Sequence, residues 1–460
     1  MAIIATNLAR IKSDPLRCLG GESRVNEHFA LAGHKWRERL LDPATTLALF
    51  ILQILHGNTA ITHLRHLVRG TVAASSYCEA RARLPLAALA TLIEHVCCDG
   101  IKSIQPLASG PASWLGRRVV IADATSANTP DTPPLQERWP QTPVQKRGCG
   151  FPVVKLLGAL DLASGMILHL TMMSLGTQEM NQFFGLAAAL RAGDVVLADR
   201  GLCSFVNIAL LSFFPMDAVF RMHQKVTVDF TPHRPHQGKS KKSDRRGRPS
   251  SRFVRWLGHE DQIVEWVKPK QKPRWIGALL YAGLPATVTV RELRYRISMR
   301  GRRTRVVTIA TTLLDPIKYP KERIAELYGL RWEVETNFRH LKQTMKLDLL
   351  KCKTVDGVTK EMMIFVLVYN LVRAAMTLAA HRQGANDTNR VSFVDALRWL
   401  CCAVMSGSRP AELAVDLVIN PIRPGRWNAR VKKRRMKEYD LMTRPRSEYA
   451  EPSGAEGVMP

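Results

Sequence analysis

The chain of 460 residues has few acidic residues. Its 39 Asp and Glu face 67 Lys and Arg, which leaves a formal net charge of +28. A surplus of this size indicates a polyanionic partner, and nucleic acid is the simplest choice. Charge alone would also fit a membrane surface or ribosomal RNA, so it does not decide between these partners.

The cysteines follow no metal-binding or disulfide pattern. There are nine of them, an odd number, and none lies in a C-x-x-C motif. These facts argue against a zinc-finger spacing and against a disulfide framework. The usage is typical of reduced thiols in a cytosolic protein.

Signals for export and membrane insertion are also missing. The N-terminus has a short apolar start followed by basic residues, which is unlike a secretory signal. Ala44–Leu55 is too short to span a bilayer, and Met362–Ala380 carries Asn370 and Arg373 in its middle. Both runs predict core helices, and we expect a cytoplasmic, nucleoid-associated protein without a membrane partner.

Residues 1–110 predict a helical region. Residues 1–30 have weak periodicity and predict a loose lead-in, whereas Asp42-Pro43 predicts a helix start and Gly57 its end. Three further helices are expected near 59–69, from Ser76 and from Pro85. The interspersed Arg and His residues indicate a DNA-binding module, although small helical modules of other kinds share this pattern.

Residues 111–221 predict an α/β unit. The runs RRVVIADAT and DVVLADR are typical of buried strands that end at Asp123 and Asp199. Between them we expect a hairpin turning at Ser164-Gly165 and then a helix over 178–190. A helix over 205–214 and a strand over 218–221 follow. This order predicts an RNase H-like catalytic core.

The remaining sequence predicts three further parts. Residues 222–312 predict a basic, mainly β insertion, because residues 221–310 hold 22 Lys and Arg against 6 Asp and Glu. Residues 313–385 predict the second part of the core, with a long helix over 321–346 and another over 359–380. Residues 386–460 predict a helical and basic C-terminal region, with a helix over 393–405.

Two carboxylates and one helix face are the candidate functional groups. Asp123 and Asp199 follow similar apolar strands, where a carboxylate is costly unless it is paired or binds a metal. A lone aspartate at such a position is more often a turn or cap residue. In the long helix, a phenol, a guanidinium, a carboxylate and an ammonium share a wedge of roughly 60°; they belong to Tyr328, Arg331, Glu335 and Lys342. A solvated charged helix is the alternative.

The spacing Tyr-x2-Arg-x3-Glu-x6-Lys, together with both aspartates, resembles the signature of insertion-sequence DDE transposases of the IS4 type. The segments around Asp123 and Asp199 resemble the same family, and the resemblance covers roughly residues 30–380. Ala124 stands where many relatives have glycine. The resemblance implies cut-and-paste transposition, with DNA cleavage at terminal inverted repeats, hairpin formation at the ends and strand transfer into target DNA.

The resemblance also implies a site and its partners. Asp123, Asp199 and Glu335 would be catalytic and would hold two Mg²⁺ ions, with Mn²⁺ as a substitute. Tyr328, Arg331 and Lys342 would bind DNA phosphates. The partners would be double-stranded DNA, as terminal repeats and as target, and a second copy of the chain in the synaptic complex.

Some points stay open at this level. A tryptophan in the insertion often stacks on a flipped base in this family, but Trp256, Trp266 and Trp275 are each more typical of core positions. A catalytically inactive, transposase-derived DNA-binding protein is one alternative function. An RNase H-like structure-selective nuclease is another, although it would lack the Tyr-Arg-Glu-Lys helix and the basic insertion.

Overall fold

The computed structural model describes residues 20–37, 40–67, 73–104, 114–177, 179–223, 226, 228–234, 250–297, 305–385, 387–401, 417–421 and 441–448. Several sequence predictions fall wholly or partly outside these residues. They are the start of the lead-in, most of the basic loop of the insertion, the end of the helix expected over 393–405 and most of the basic tail.

Helices form the N-terminal region, as predicted. They are α1 (Glu22–Leu31), α2 (Pro43–Leu55), α3 (Ile61–Leu67), α4 (Ala74–Arg83) and α5 (Leu86–Ile104). The Asp42 side chain accepts a hydrogen bond from the backbone N–H of Thr45, so it caps α2 as expected. The prediction of a loose lead-in is wrong for residues 22–31. Buried Val25 and Phe29 hold α1 against the core, and weak periodicity over ten residues did not reveal this.

Nine described strands form one mixed sheet in the order β3-β2-β1-β4-β5-β9-β8-β7-β6. β2 runs antiparallel to β1 and to β3, whereas β4 runs parallel to β1 and to β5. The strands are β1 (Val119–Asn128), β2 (Val153–Asp161), β3 (Ile167–Ser174), β4 (Val195–Ala198), β5 (Asp217–Arg221), β6 (Ser250–Gly258), β7 (Asp261–Val267), β8 (Thr287–Ile297) and β9 (Arg305–Thr311).

The other helices complete an α/β arrangement. They are α6 (Pro133–Arg138), a 3₁₀ segment (Glu179–Ala189), α7 (Phe205–Phe213), α8 (Ala278–Gly283), α9 (Lys321–Gly329), α10 (Glu333–Arg339), α11 (Val355–Arg382) and α12 (Phe393–Cys401). The helix expected over 178–190 is therefore present in 3₁₀ form. The hairpin of β2 and β3, the helix α7 and the strand β5 are confirmed.

Alternation along the strands separates two apolar layers. Val119 and Ile121 of β1 pack in the core that contains α2, α5 and α11. Val120 and Ala122 pack on the opposite face with α7. Successive side chains of a strand point to opposite faces, so both faces of this part of the sheet are covered.

The insertion is mainly β, as predicted, and its strands continue the main sheet. β9 pairs antiparallel with β5 through Val219–Thr311 and Phe220–Ala310. β8, β7 and β6 then follow outward from β9. The sequence pattern predicted the strands but did not indicate that they would join the sheet of the core.

The long helix expected over 321–346 is continuous in path but changes its winding. A 3₁₀ turn (Leu330–Trp332) separates α9 from α10, and a π-turn (His340–Thr344) follows α10. Lys346 then adopts a left-handed conformation with φ 68°, which ends the helical path. We call residues 321–344 the site helix. A π-turn inside a helix is frequently found at a functional site.

Helix α11 is the apolar centre of the molecule. It is long and apolar enough to cross a membrane, but most of its apolar window is buried inside the protein. The N-terminal helices pack on it, and Glu361 of α11 accepts a hydrogen bond from Asn58 at 2.7 Å. This burial confirms the sequence prediction of a core helix.

Candidate active site

The sheet brings the two candidate aspartates side by side. The parallel pairing of β1 with β4 ends at Ala122 and Ala198, so Asp123 and Asp199 are the next residues in register. Ile121 and Leu197 point to the face of the sheet that packs on α11, and each aspartate comes two positions later. Because side chains alternate, both carboxylates project towards that face.

The prediction that the first strand ends at Asp123 is wrong. β1 continues to Asn128, and Asp123 lies opposite Gly158 of β2 in the antiparallel ladder. Pairing with β4 stops one residue earlier, and this gap leaves room beside Asp123. The prediction for Asp199 is confirmed, because it directly follows β4.

The site helix crosses this edge of the sheet and contacts both aspartates. Arg331 Nη1 donates to Asp123 Oδ2 at 2.6 Å, and its Nη2 lies 3.8 Å from Glu335 Oε1. The Tyr328 hydroxyl donates to Asp199 Oδ1 at 3.4 Å. Three of the four motif residues therefore lie around the two aspartates.

An open cavity of about 430 Å³ lies between the strand ends and the site helix. Its walls contain both aspartates, Arg331, Glu335 and Lys342, so the structure brings five of the six predicted site residues to one cavity. Tyr328 is not part of the wall and reaches the site through Asp199. The other lining residues are Ala124, Thr125, Phe338, Arg339, Gln343 and Asp348.

Burial and neighbouring charges shift the pKa values of three groups at the site. Burial raises the pKa of Asp123 to about 6, Arg331 opposes this rise, and Asp199 adds to it. Burial and the neighbouring Asp199 raise the pKa of Tyr328, which stays a neutral phenol. Although burial works against its charge, Arg331 has a raised pKa because the carboxylates of Asp123 and Asp199 stabilise the guanidinium.

The three carboxylates at the cavity are of the type that binds a hard divalent cation, although their side chains are not arranged around a common point. Such cations prefer carboxylate oxygens as ligands. The pairing of β1 with β4 places the carboxylates of Asp123 and Asp199 next to each other. In the part of the chain that the structure describes, no three His, Cys, Asp or Glu side chains are grouped so as to hold a metal. The third carboxylate, Glu335, stands at the rim with its side chain 52% exposed.

Sequence reasoning missed several polar groups near the site. Arg221, at the end of β5, lies 3.6 Å from Asp199, and Asp348 lies 3.6 Å from Lys342. A signal for Arg221 existed, because β5 is parallel to β4 and their C-terminal ends share one edge. Asp348 had no comparable signal, since it follows the turn at Lys346.

The tryptophans of the insertion divide by exposure. Trp266 is buried and donates to Glu292 Oε1 at 2.9 Å, and Trp275 packs against the core. Trp256 on the edge strand β6 is 52% exposed. The prediction of a core position is therefore confirmed for Trp266 and wrong for Trp256.

The chain is similar to known transposases. A family model described as Transposase DDE domain matches residues 114–371. Transposase InsG for insertion sequence element IS4 of Escherichia coli (strain K12) is 26% identical over 309 residues, and the match covers 65% of this chain and 62% of that relative.

A solved structure, the cryo-EM structure of the piggyBac transposase synaptic complex with hairpin DNA, aligns with a TM-score of 0.43 and 12% identity. This alignment covers 92% of the present chain and 88% of the other. The family match spans more than half of the chain and contains both aspartates and the whole motif. The chain belongs to the DDE transposase family.

Proposed function

We propose that this transposase carries out cut-and-paste transposition of an insertion sequence, by two-metal phosphoryl transfer at terminal inverted repeats. The observation that carries the proposal is that Asp123, Asp199 and Glu335 border one cavity, although 212 positions of sequence separate the first from the last. Arg331 and Lys342 add two cations to the same walls. Acidic groups for metal and basic groups for phosphate are what this reaction requires.

We further propose that the catalytic core is RNase H-like. Support comes from the strand order β3-β2-β1-β4-β5 and from the change from antiparallel to parallel pairing at β1. On this proposal the core comprises residues 111–221 and 313–385, which flank the insertion at 222–312. The helical region 1–110 would recognise the repeat, and residues 386–460 would form the C-terminal region.

The family generally uses divalent metal ions, and we propose two Mg²⁺ ions here. Asp123 and Asp199 would ligate directly, and Glu335 would complete the set after its side chain turns inward from the rim. The pair of ions would activate the attacking oxygen and stabilise the leaving oxygen. Mn²⁺ has similar ligand preferences and would substitute.

The basic motif residues would hold the DNA strand. Lys342 lies on the cavity wall with 27% of its side chain exposed, so its ammonium can reach a phosphate oxygen. Arg331 and Tyr328 are engaged by the aspartates. They would turn to phosphate once metal neutralises those carboxylates.

The proposed partners are double-stranded DNA and a second copy of the chain. A formal net charge of +28 favours phosphate contacts that weaken as salt rises. Most of helix α11 is buried inside the subunit, so the contact with the second copy would lie elsewhere. Nucleoid association would follow from DNA binding.

The test is incubation of the purified protein with Mg²⁺ and DNA that carries the element's own flanking repeats. We expect nicks at the repeat ends, and no nicks with Glu335→Gln, which should still bind the repeat. Glu326→Gln is the matched control, because Glu326 lies on the same helical path and its carboxylate pairs with exposed Arg323. Binding without cleavage by the wild-type protein would favour the inactive DNA-binding derivative. Cleavage of branched DNA irrespective of sequence would favour the structure-selective nuclease.

A further inference from the structure

A short segment beyond the family match contacts the site helix on both sides of Glu335. The match ends at residue 371, and the segment comprises residues 387–393. One contact reaches Glu333 and the other reaches His340. We call residues 387–393 the cradle.

The first contact is a chain of hydrogen bonds that runs from Glu333 into the core. Asn389 donates from Nδ2 to Glu333 Oε2. Its Oδ1 accepts from Arg373 Nη2 at 2.8 Å, and Arg373 Nε donates to the carbonyl of Ser164 at 2.6 Å. The Asn389 amide is thus used at both ends, so its orientation is set by two partners.

The Asn389 backbone is held as well. Its N–H donates to Asp387 Oδ1 at 2.8 Å, which fixes the turn that presents the side chain. Arg373 is 1% exposed, and the turn at Gly165 is shaped around it. Gly165 has φ +69°, and a Cβ there would lie 2.2 Å from the guanidinium. The chain of contacts therefore ends in a buried, closely packed part of the core.

The second contact is aromatic. The His340 ring stacks on Phe393 with a centroid distance of 4.3 Å and an interplanar angle of 11°. The Tyr369 ring of α11 also packs against Phe393, with a centroid distance of 5.6 Å, and its hydroxyl donates to the carbonyl of Gly165 at 3.0 Å. His340 is also the first residue of the π-turn that carries Lys342.

Helix geometry links these contacts to the cavity. Residues two apart on a helix point roughly 200° apart, so Glu333 faces the cradle while Glu335 faces the cavity. A helix held at Glu333 and at His340 cannot roll between these points. Glu333 and His340 bracket Glu335, and His340 is the first residue of the π-turn that contains Lys342.

We propose that the cradle aims Glu335 and Lys342 into the cavity, with Glu333 and Asn389 as positioning residues. The inference rests on the proposed function for the roles of Glu335 and Lys342. It adds that a segment outside the matched transposase domain is needed to set the geometry of the active site. Glu333 would act through the helix and would touch neither metal nor DNA.

The test compares Glu333→Ala, Asn389→Ala and Glu333→Gln with the control Glu326→Ala in the full-length protein. Glutamine keeps an oxygen that can accept from Asn389, so Glu333→Gln should behave as wild type. Three quantities are measured: the nicking rate at saturating repeat DNA, the affinity for that DNA, and hydrogen exchange of the backbone amides of residues 330–344.

We expect Glu333→Ala and Asn389→Ala each to lower the nicking rate by about 10- to 100-fold, as a misplaced catalytic group does. Repeat affinity should stay unchanged, and exchange over residues 330–344 should be faster while the rest of the protein exchanges as in wild type. Unchanged exchange over 330–344 in both variants would overturn the proposal. So would loss of activity in Glu333→Gln equal to that in Glu333→Ala. If the wild-type protein fails to nick, the proposed function fails, and the exchange measurement still decides the cradle.

Discussion

The two walls of the cavity differ in how they are built. On the inner wall, Arg331 is almost fully buried and the Asp123 side chain is 20% exposed, and the two are joined at 2.6 Å. On the outer wall, Glu335 and Asp348 have side chains 52% and 44% exposed, and the nearest ion pair, Lys342 with Asp348, is at 3.6 Å. The inner wall thus belongs to the folded core, whereas the outer wall is a set of solvated side chains.

Because of this difference, substitutions on the two walls should affect stability and activity differently. A buried charge that loses its partner costs several kcal/mol, whereas an exposed pair contributes about 0–1 kcal/mol. Substitutions on the inner wall should therefore change both folding and activity. Those on the outer wall should change activity with little effect on folding.

The largest effect should come from the aspartates themselves. Asp199→Asn and Asp123→Asn should each lower end-specific nicking by about a thousandfold, because several kcal/mol of charge stabilisation is lost. Gel-based nicking assays at saturating Mg²⁺ measure this effect. Repeat binding should persist, and Glu326→Gln serves as the control. Nicking by either variant at a rate near that of wild type would remove that residue from the metal set.

The second effect is on stability and depends on pH. Arg331→Ala leaves Asp123 buried without its partner and should lower the free energy of unfolding by about 3 kcal/mol near pH 8. Burial raises the pKa of Asp123 to about 6, above its usual value, and Arg331 opposes this rise, so without Arg331 the pKa lies higher still. The additional loss of stability in the variant therefore grows as pH rises above about 6, where the wild-type carboxylate is charged beside Arg331. Below this pH the carboxyl binds a proton, and the penalty shrinks.

Urea unfolding of Arg331→Ala at pH 5 and pH 8 measures this dependence. The loss of stability relative to wild type should be smaller at pH 5. The double variant Arg331→Ala with Asp123→Asn should recover part of the loss at pH 8, since no charge is then left unpaired. A loss that is equal at both pH values would show that Arg331 stabilises the fold by packing alone.

The inner wall was largely predictable from sequence, because successive side chains of a strand point to opposite faces of the sheet. VVIAD and VVLAD place an aspartate two positions after an inward-facing residue, and parallel pairing brings the two together. The motif spacing placed Arg331 and Glu335 on one side of a helix. The pairing of Arg331 with Asp123 could not be predicted, because the sequence does not fix how the helix is rotated about its axis against the sheet.

The outer wall and the supports of the site were less predictable. The π-turn at His340–Thr344 changes the direction in which the Lys342 side chain points from the helix. No pattern of residues in the sequence predicts this π-turn. Asp348 and the cradle follow turns in the chain. The hydrophobic periodicity of the sequence does not predict where side chains point after a turn. The joining of β9 to β5 is a long-range pairing that local alternation does not encode.

A third, smaller effect should arise at Lys342. Lys342→Ala should leave the free energy of unfolding within about 0.5 kcal/mol of wild type, because the pair with Asp348 is solvated. Nicking should fall by about tenfold or more if the ammonium holds a phosphate in the transition state. Thermal unfolding and nicking assays on one preparation measure both quantities.

Lys353→Ala is the control for Lys342, because Lys353 is an exposed lysine nearby that does not line the cavity. A large loss of stability in Lys342→Ala would contradict the contrast between the walls. Equal losses of nicking in both lysine variants would indicate general charge loss, without a specific phosphate contact.

The smallest effect is expected at Asp348, and its sign is informative. Asp348 lies 3.6 Å from Lys342 and lines the same cavity, so it competes with DNA phosphate for that ammonium. Asp348→Asn removes the competitor and one negative charge from the wall. Repeat affinity should rise by a few-fold at low salt, and the gain should shrink as salt screens the charges. Binding titrations at two salt concentrations measure this, with Glu326→Gln again as the control. If Asp348→Asn instead abolishes nicking at unchanged affinity, Asp348 is part of the metal site, and the outer wall contributes a carboxylate ligand besides Glu335.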